Sequence, residues 1–278
     1  MSAPVVLVTG CSKGGIGFGL CEEFAAKGCI VYATARRLES MKGFQHENVH
    51  TLKLDVTDEA EVQLVVKTII DKEGRLDVVV NNAGLPCAVF AIGPMSDIPA
   101  DKVAATFNTN VFAALHVYRA VFPHMASRST GTIINIGSVA GFFGTPWVGV
   151  YAASKAALER ISEVQYMEAR PFNVSVIHVS PGMVKSNINA TVLSHIYVSQ
   201  DSIFSGWLDS MRDIARAEGM PTEEFARGVV SSALEGKERH LVRGKMSTIA
   251  WVCQFLPRTY LLQKMWDAVA GKPKPKVE

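Results

Sequence analysis

Short runs of β-branched and aliphatic residues alternate along this chain with segments patterned for helices, and that alternation limits the fold more than any other feature. Val5–Val8, Ile30–Ala33, His50–Leu54, Val78–Val80, Ile133–Ile136 and Val174–Ile177 read as strands. Gly19–Lys27, Glu59–Glu73, Lys102–Met125 and Ala152–Ala169 read as helices between them. Strand–helix alternation implies a parallel sheet, and strands apolar along nearly their whole length fit burial on both faces. With 48% hydrophobic residues in 278, a domain of this size buries roughly three quarters of its unfolded surface. Disordered, collagen-like and disulfide-stapled classes are excluded by composition.

Past Pro181-Gly182 the pattern loosens. Phe204, Trp207, Leu208, Met211 and Ala215 fall at helical spacing within residues 187–220. They fit an ordinary packed helix, and equally a lid over an apolar substrate at the carboxyl edge of the sheet. A helix is expected over Thr222–Glu235 behind Pro221, then a last strand at His240–Val242. Met246–Val269 carries a second apolar pattern broken at Pro257, followed by Lys272-Pro273-Lys274-Pro275-Lys276. No repeat or interdomain linker is visible, so residues 1–278 are read as one domain. Its apolar C-terminal extension covers 245–278.

Charge and cysteine usage narrow the partners. With 28 basic against 26 acidic residues, the chain has no global field to hold nucleic acid. Five scattered cysteines, with no Cys-x-x-Cys pair and no histidine at metal spacing, read as reduced thiols in a reducing, cytoplasmic setting with no metal site. The first strand begins by Val5, leaving no room for a signal peptide, and no apolar run reaches the ~18 residues that span a bilayer.

Thr9-Gly10-Cys11-Ser12-Lys13-Gly14-Gly15-Ile16-Gly17 follows the first strand and opens the first helix. Glycines there let the backbone turn tightly and approach a pyrophosphate at the positive end of the helix. The second strand ends Thr34-Ala35-Arg36-Arg37, without the acid that would hold the ribose hydroxyls of NAD. Arg36 offers a planar fork for a 2′-phosphate, and Lys13 a second charge, so NADP(H) is the expected cofactor. Asp55, with Val56 after it, suits a bond to the adenine amino group, or is simply an acid at the start of the next helix. The small residues of Asn82-Ala83-Gly84 would let the cofactor pass close to the backbone.

Tyr151-Ala152-Ala153-Ser154-Lys155 puts a phenol and an ammonium one helical turn apart. A free phenol has a pKa near 10, and a cation within a few ångströms lowers it. Such a tyrosine can give a proton to a carbonyl oxygen or take it back from an alcohol. Ser138, at the end of the preceding strand, could hold that oxygen.

These motifs, in this order over about residues 4–190, resemble the short-chain dehydrogenase/reductase superfamily. The resemblance implies a single Rossmann-type doubly wound α/β fold, with a parallel sheet of about seven strands and helices on both faces. It implies Tyr151 as acid/base, Lys155 as its tuner and a ribose ligand, Ser138 as substrate orienter and Asn110 as a member of a proton relay through water. Pro181, Gly182, Val184 and Ser186 fall where the family holds the nicotinamide carboxamide, with Ser186 where threonine is commoner. The glycine motif has one residue more than usual, which leaves open whether Gly14 or Gly15 takes the middle position. Gly15 is taken, with Gly10, Ser12, Lys13, Ile16 and Gly17, as the pyrophosphate-side set. A homo-oligomer is implied by resemblance alone.

Several stretches, Val31–Glu39 and Asn81–Cys87 among them, resemble fungal NADPH-dependent acyl-dihydroxyacetone-phosphate reductases. Yet residues 187–220 hold only Arg212 and Arg216 against four acids, leaving Lys185 and Arg243 as candidate phosphate ligands. The expected reaction is reduction of a ketone or aldehyde on a hydrophobic substrate. The substrate is either that lipid phosphate or a neutral molecule such as a steroid or secondary metabolite. A catalytically silent NADP(H)-binding regulator is the remote alternative. In the C-terminal stretch, Ile249, Val252, Cys253 and Leu256, then Tyr260, Leu261, Met265 and Trp266, could lie on a membrane or lipid-droplet surface, peripheral to the endoplasmic reticulum. Packing on the body or on a second subunit is the favoured expectation.

Overall fold

The computed structural model describes residues 2–84, 93–186, 196–214, 219–235 and 239–270. Seven strands, β1 (Val5–Thr9), β2 (Ile30–Ala35), β3 (Val49–Lys53), β4 (Val78–Asn81), β5 (Gly131–Ile136), β6 (Val174–Pro181) and β7 (His240–Arg243), form one sheet in the order 3-2-1-4-5-6-7. Every pairing is parallel. Strand order reverses between β1 and β4, and the ends of both strands open into one crevice, the usual ligand position in open α/β sheets.

Two apolar layers sandwich the sheet, which is why the strands carry hydrophobic residues on both faces. On one face Leu20, Phe24 and Ala25 of α1 (Ile16–Ala26) pack with Phe225, Val229 and Val230 of the helix Thr222–Glu235. Gly19 makes that approach possible, since a Cβ there would lie 2.6 Å from the Thr222 methyl. The other face is covered by α2 (Glu59–Glu73) and the helix Ala113–Ser127, through Val62, Val66, Ile69, Val117 and Val121. Asp58 caps α2 by accepting from the Ala60 and Glu61 amides, and Gly74 ends it in the left-handed conformation.

The helix expected over 102–125 is longer and not uniform. It runs Ala100–Phe107, passes through a π-helical turn at Asn108–Phe112 and resumes at Ala113–Ser127. Such a turn inserts one residue and re-aims its side chains, a device frequent at functional sites. The helix read from Ala152 begins earlier, at Gly149, so Tyr151 lies in its first turn.

Residues 205–207 form a 3₁₀ turn leading into a helix over Leu208–Ile214. Phe204, Trp207 and the fully buried Met211 join Trp147 and Val148 in a separate small core, while Ala215 lies outside the described residues. Pro257 divides the C-terminal stretch into helices at Ser247–Cys253 and Arg258–Val269. Of its apolar stripe Leu261 is buried, but Ile249, Val252, Leu256, Tyr260 and Trp266 are exposed. Of the favoured expectation, packing on the body or on a second subunit, the first half accounts for Leu261 but not for most of this stripe. No helix among the described residues is long and apolar enough to cross a membrane.

Candidate active site

The glycine segment turns on backbone geometry. Gly10 and Gly14 have positive φ values of 74° and 76°, and a Cβ on Gly10 would lie 2.7 Å from the Ala83 Cα. Gly15 is the N-terminal cap of α1 and has no side chain to occupy the free amides behind it. A Cβ on Gly17 would lie 2.6 Å from the Gly10 carbonyl oxygen and 2.5 Å from the Asn82 side-chain nitrogen, so no side chain fits. Asn82 fastens this wall by donating to the Thr9 and Gly10 carbonyls. The result is an uncapped helix N-terminus facing a cradle of backbone, which fits a pyrophosphate. The positions differ in use: Gly14 makes the left-handed turn, whereas Gly15 takes the cap next to the amides.

The end of β2 is tied to that loop. The Lys13 amide donates to the Ser40 carbonyl (2.8 Å), and Ser12 Oγ donates to Ser40 Oγ (3.2 Å). Arg36 is exposed and forms no ion pair among the described residues. Its charge acts on Asp55. Burial would raise that carboxyl, but hydrogen bonds from the Thr57 hydroxyl and amide, with Arg36 nearby, outweigh it and hold the pKa below the ordinary aspartate value. Asp55 does not cap a helix, because Asp58 does. Val56 is buried behind it, with its carbonyl 3.3 Å from His116 Nδ1.

At the end of β5, Ser138 is in extended conformation and its hydroxyl accepts from the Ala140 amide (3.1 Å). Tyr151 and Lys155 share a face of the helix Gly149–Ala169, with Lys155 Nζ 5.7 Å from the centre of the Tyr151 ring. Lys155 is buried and donates to the Ile136 carbonyl at 2.9 Å. Desolvation lowers its pKa to about 8. The π-helical turn brings Asn110 to the same place, where its amide donates to Ser154 Oγ (3.0 Å). Gly84 closes the group: a Cβ there would stand 3.3 Å from Asn110 Oδ1 and 3.6 Å from Lys155 Nζ. Pro181, Gly182, Val184 and Ser186 continue from β6 on the same edge. Gly182 is packed against the Lys245 carbonyl and Ser247.

Sequence reasoning missed two groups. The first is a buried polar lattice under the site. Asn135 accepts from Asn81 (2.8 Å) and donates to Ser162 Oγ and Gln165 Oε1 (2.9 Å each). Ser162 spends its proton on the Leu158 carbonyl, so His178 Nδ1 must be the donor in its 3.0 Å contact with Ser162. Burial, with His240, Lys155 and Arg160 nearby, lowers His178 to about 3 and keeps it neutral. Its unpartnered Nε2 lies where a Cβ on Gly137 would stand 2.3 Å away. His178 thus fills the space beneath the residue that carries Ser138. A helix face bearing Ser162 and Gln165 beside buried asparagines was the available signal. The second group is Trp147, four residues before Tyr151, with a positive φ of 71°. It is buried among Phe204, Trp207 and Trp266, and its indole N–H has no partner. A bulky residue held in that conformation signals constraint by its surroundings. Arg243 does not serve as a free phosphate ligand, because its guanidinium is packed against Gly228 and donates to the Glu224 carbonyl (3.4 Å).

Residues 4–196 match the family model for short chain dehydrogenases. A short-chain dehydrogenase from Penicillium crustosum, PC-15, is 35% identical over 268 residues, covering 93% of this chain and 95% of that protein. An NADPH-dependent 1-acyldihydroxyacetone phosphate reductase from Schizosaccharomyces pombe is 37% identical over 224 residues, covering 79% and 73%. The solved short-chain dehydrogenase from Streptomyces avermitilis superposes with a TM-score of 0.81 at 28% identity, over 96% of this chain and 98% of that one. The chain belongs to the short-chain dehydrogenase family and is an oxidoreductase with a nicotinamide cofactor of that family's kind.

Proposed function

We propose that the chain is an NADPH-dependent reductase of a ketone or aldehyde carried on a hydrophobic molecule. The observation behind this reading is the meeting of Tyr151, Lys155, Ser138 and Asn110 beside a glycine-built helix terminus, with aromatic walls from Trp147, Phe204 and Trp207 on the far side. Gly10, Ser12, Lys13, Gly15, Ile16 and Gly17 would hold the pyrophosphate, and Arg36 with Lys13 the 2′-phosphate. Asp55 and Val56 would meet the adenine, Asn82, Ala83 and Gly84 the ribose, and Pro181, Gly182, Val184 and Ser186 the carboxamide. When bound, the nicotinamide supplies the hydride.

The protein's own work is placing the carbonyl and moving a proton. Ser138 donates to the carbonyl oxygen and fixes its direction, while Tyr151 gives that oxygen its proton. Lys155, kept close by the Ile136 carbonyl, favours the phenolate that remains. Asn110 steadies the Ser154 turn of the same helix and lies on the path by which Tyr151 is reprotonated. A lid role for 187–220 is proposed on its described part alone, where Phe204 and Trp207 pack on Trp147; residues 187–195 and 215–218 lie outside the described residues. Buried thiols and NADPH use both suit a reducing, cytoplasmic compartment.

Acyl-dihydroxyacetone phosphate remains the specific alternative, favoured by the S. pombe relative. Against it stand the engaged Arg243 and the apolar walls. The test is NADPH consumption with an acyl-dihydroxyacetone phosphate and its dephosphorylated counterpart, with NADH as control. Equal or faster turnover of the neutral ketone is expected. A strong requirement for the phosphate would establish the alternative, and no turnover of either with NADPH would end the reductase reading.

A further inference from the structure

Nine of the nineteen exposed large hydrophobic side chains among the described residues lie between Met246 and Trp266. They come from Met246, from the two short helices Ser247–Cys253 and Arg258–Val269 that follow it, and from the turn between them. Phe255 is 70% exposed, and Ile249, Val252 and Tyr260 more than half. An apolar concentration of this kind marks a surface that something covers.

Charge identifies the cover. Residues 245–278 hold six basic side chains, Lys245, Arg258, Lys264, Lys272, Lys274 and Lys276, against two acids, Asp267 and Glu278. Lys245, Arg258 and Lys264 are exposed, and Lys264 lies 5.8 Å from the centre of the Tyr260 ring. A second copy meeting this face across a two-fold axis would bring together two faces with the same positive excess. An anionic lipid surface opposes them with negative charge. It also accepts tryptophan, tyrosine and phenylalanine at headgroup depth.

We propose that the helical pair Ser247–Cys253 and Arg258–Val269 is a docking surface for an anionic lipid bilayer. It rests in the interface, apolar side chains down and lysines toward headgroups. The pair also contacts the segments that carry Ser138, Tyr151 and Gly182. Arg258 donates to the Phe142 carbonyl (3.0 Å), Trp266 contacts Trp147, and Ser247 backs onto Gly182. Docking therefore sets the cleft at the lipid surface, where a membrane-dissolved carbonyl compound would enter. That last consequence rests on the reductase reading, whereas docking itself does not.

The test is flotation of the full chain with vesicles of phosphatidylcholine alone and of phosphatidylcholine mixed with phosphatidylserine, at low and high salt. The double variant Trp251→Glu/Phe255→Glu is run beside it, and NADPH binding checks that the variant is folded. The wild type should float with the anionic vesicles, and binding should fall by roughly tenfold or more on neutral vesicles or at high salt. The double variant should stay in solution and still bind NADPH. Should it fail to fold, Lys264→Glu at the surface must show the same loss of flotation. Absence of flotation, binding indifferent to these substitutions, or a wild-type dimer that the double variant turns into a monomer would overturn the proposal. Loss of turnover with flotation intact would count against the reductase reading alone.

Discussion

The nucleotide end and the aromatic cluster next to the Tyr151 helix are built by different means. At the nucleotide end, backbone does the shaping: Gly10, Gly15 and Gly17 leave room for a ligand, and Asn82 and Ser40 pin the loop with short hydrogen bonds. At the other end, side chains from separate segments do it, with Trp147, Phe204, Trp207 and Trp266 meeting edge to face or tilted at 5.5 to 6.4 Å. A backbone cradle tolerates few residues at each position. An aromatic wall asks only for bulk and apolarity, so its members can change without loss of the fold. Cofactor recognition is therefore expected to be narrow and substrate recognition broad.

The junction between the ends gives the largest effect. Tyr151→Phe should lower turnover by ~10²–10⁴-fold, the range for a lost acid/base group, while NADPH still binds. Stopped turnover together with lost binding would mean that the tyrosine serves the cradle instead of the chemistry.

Lys155 gives a second test, in stability. Its pKa is depressed from 10.5 to about 8 in the folded chain, so between those values the unfolded chain holds a proton that the folded one has released. Stability must then rise with pH across that window. Measured by denaturant unfolding without cofactor, the wild type should gain on the order of 3 kcal/mol relative to Lys155→Met from pH 8 to 10.5. A constant difference between the two proteins would refute a buried, depressed lysine.

At the nucleotide end Arg36→Ala should weaken NADPH binding roughly 10- to 100-fold and leave NADH unchanged, as expected for charge-assisted bonds to a phosphate. Gly17→Ala should weaken both nucleotides, because the new Cβ meets Asn82 and the Gly10 carbonyl. Fluorescence titration separates these outcomes. The smallest effect belongs to the aromatic wall: Trp147→Leu should raise KM for apolar ketones by only a few-fold and leave nucleotide affinity as it was. An equal loss with NADPH would make the two ends one unit.

The same contrast explains what the sequence disclosed. The inner strands were legible because their runs of valine and isoleucine satisfy burial on both faces, the edge strands β3 and β7 from their place in the alternation, and the glycine loop because each glycine answers a local steric demand. Tyr151, Lys155 and Ser138 were legible from spacing and from position after a strand. Asn110 came from family resemblance, and the π-helical turn that aims it carries no periodic mark. The Asn135–Ser162–His178 lattice stayed hidden because its partners come from β5, β6 and the helix Gly149–Ala169, up to 43 positions apart along the chain. Trp147 was passed over as one more apolar residue in a loop. The C-terminal stripe shows a related limit, since of packing on the body or on a second subunit the body accounts only for Leu261. A helical stripe shows that a face is apolar but not what covers it.

One assay tests the account most directly: kcat/KM for reduction of a series of neutral ketones of increasing alkyl length, with NADPH and with NADH. An apolar wall predicts a rise of up to about fourfold for each added methylene until the cleft is filled, from roughly 0.8 kcal/mol per buried CH₂. It also predicts strong preference for NADPH at every length. A flat dependence on chain length, or equal rates with NADH, would contradict a cleft that is strict about its nucleotide and permissive about its substrate.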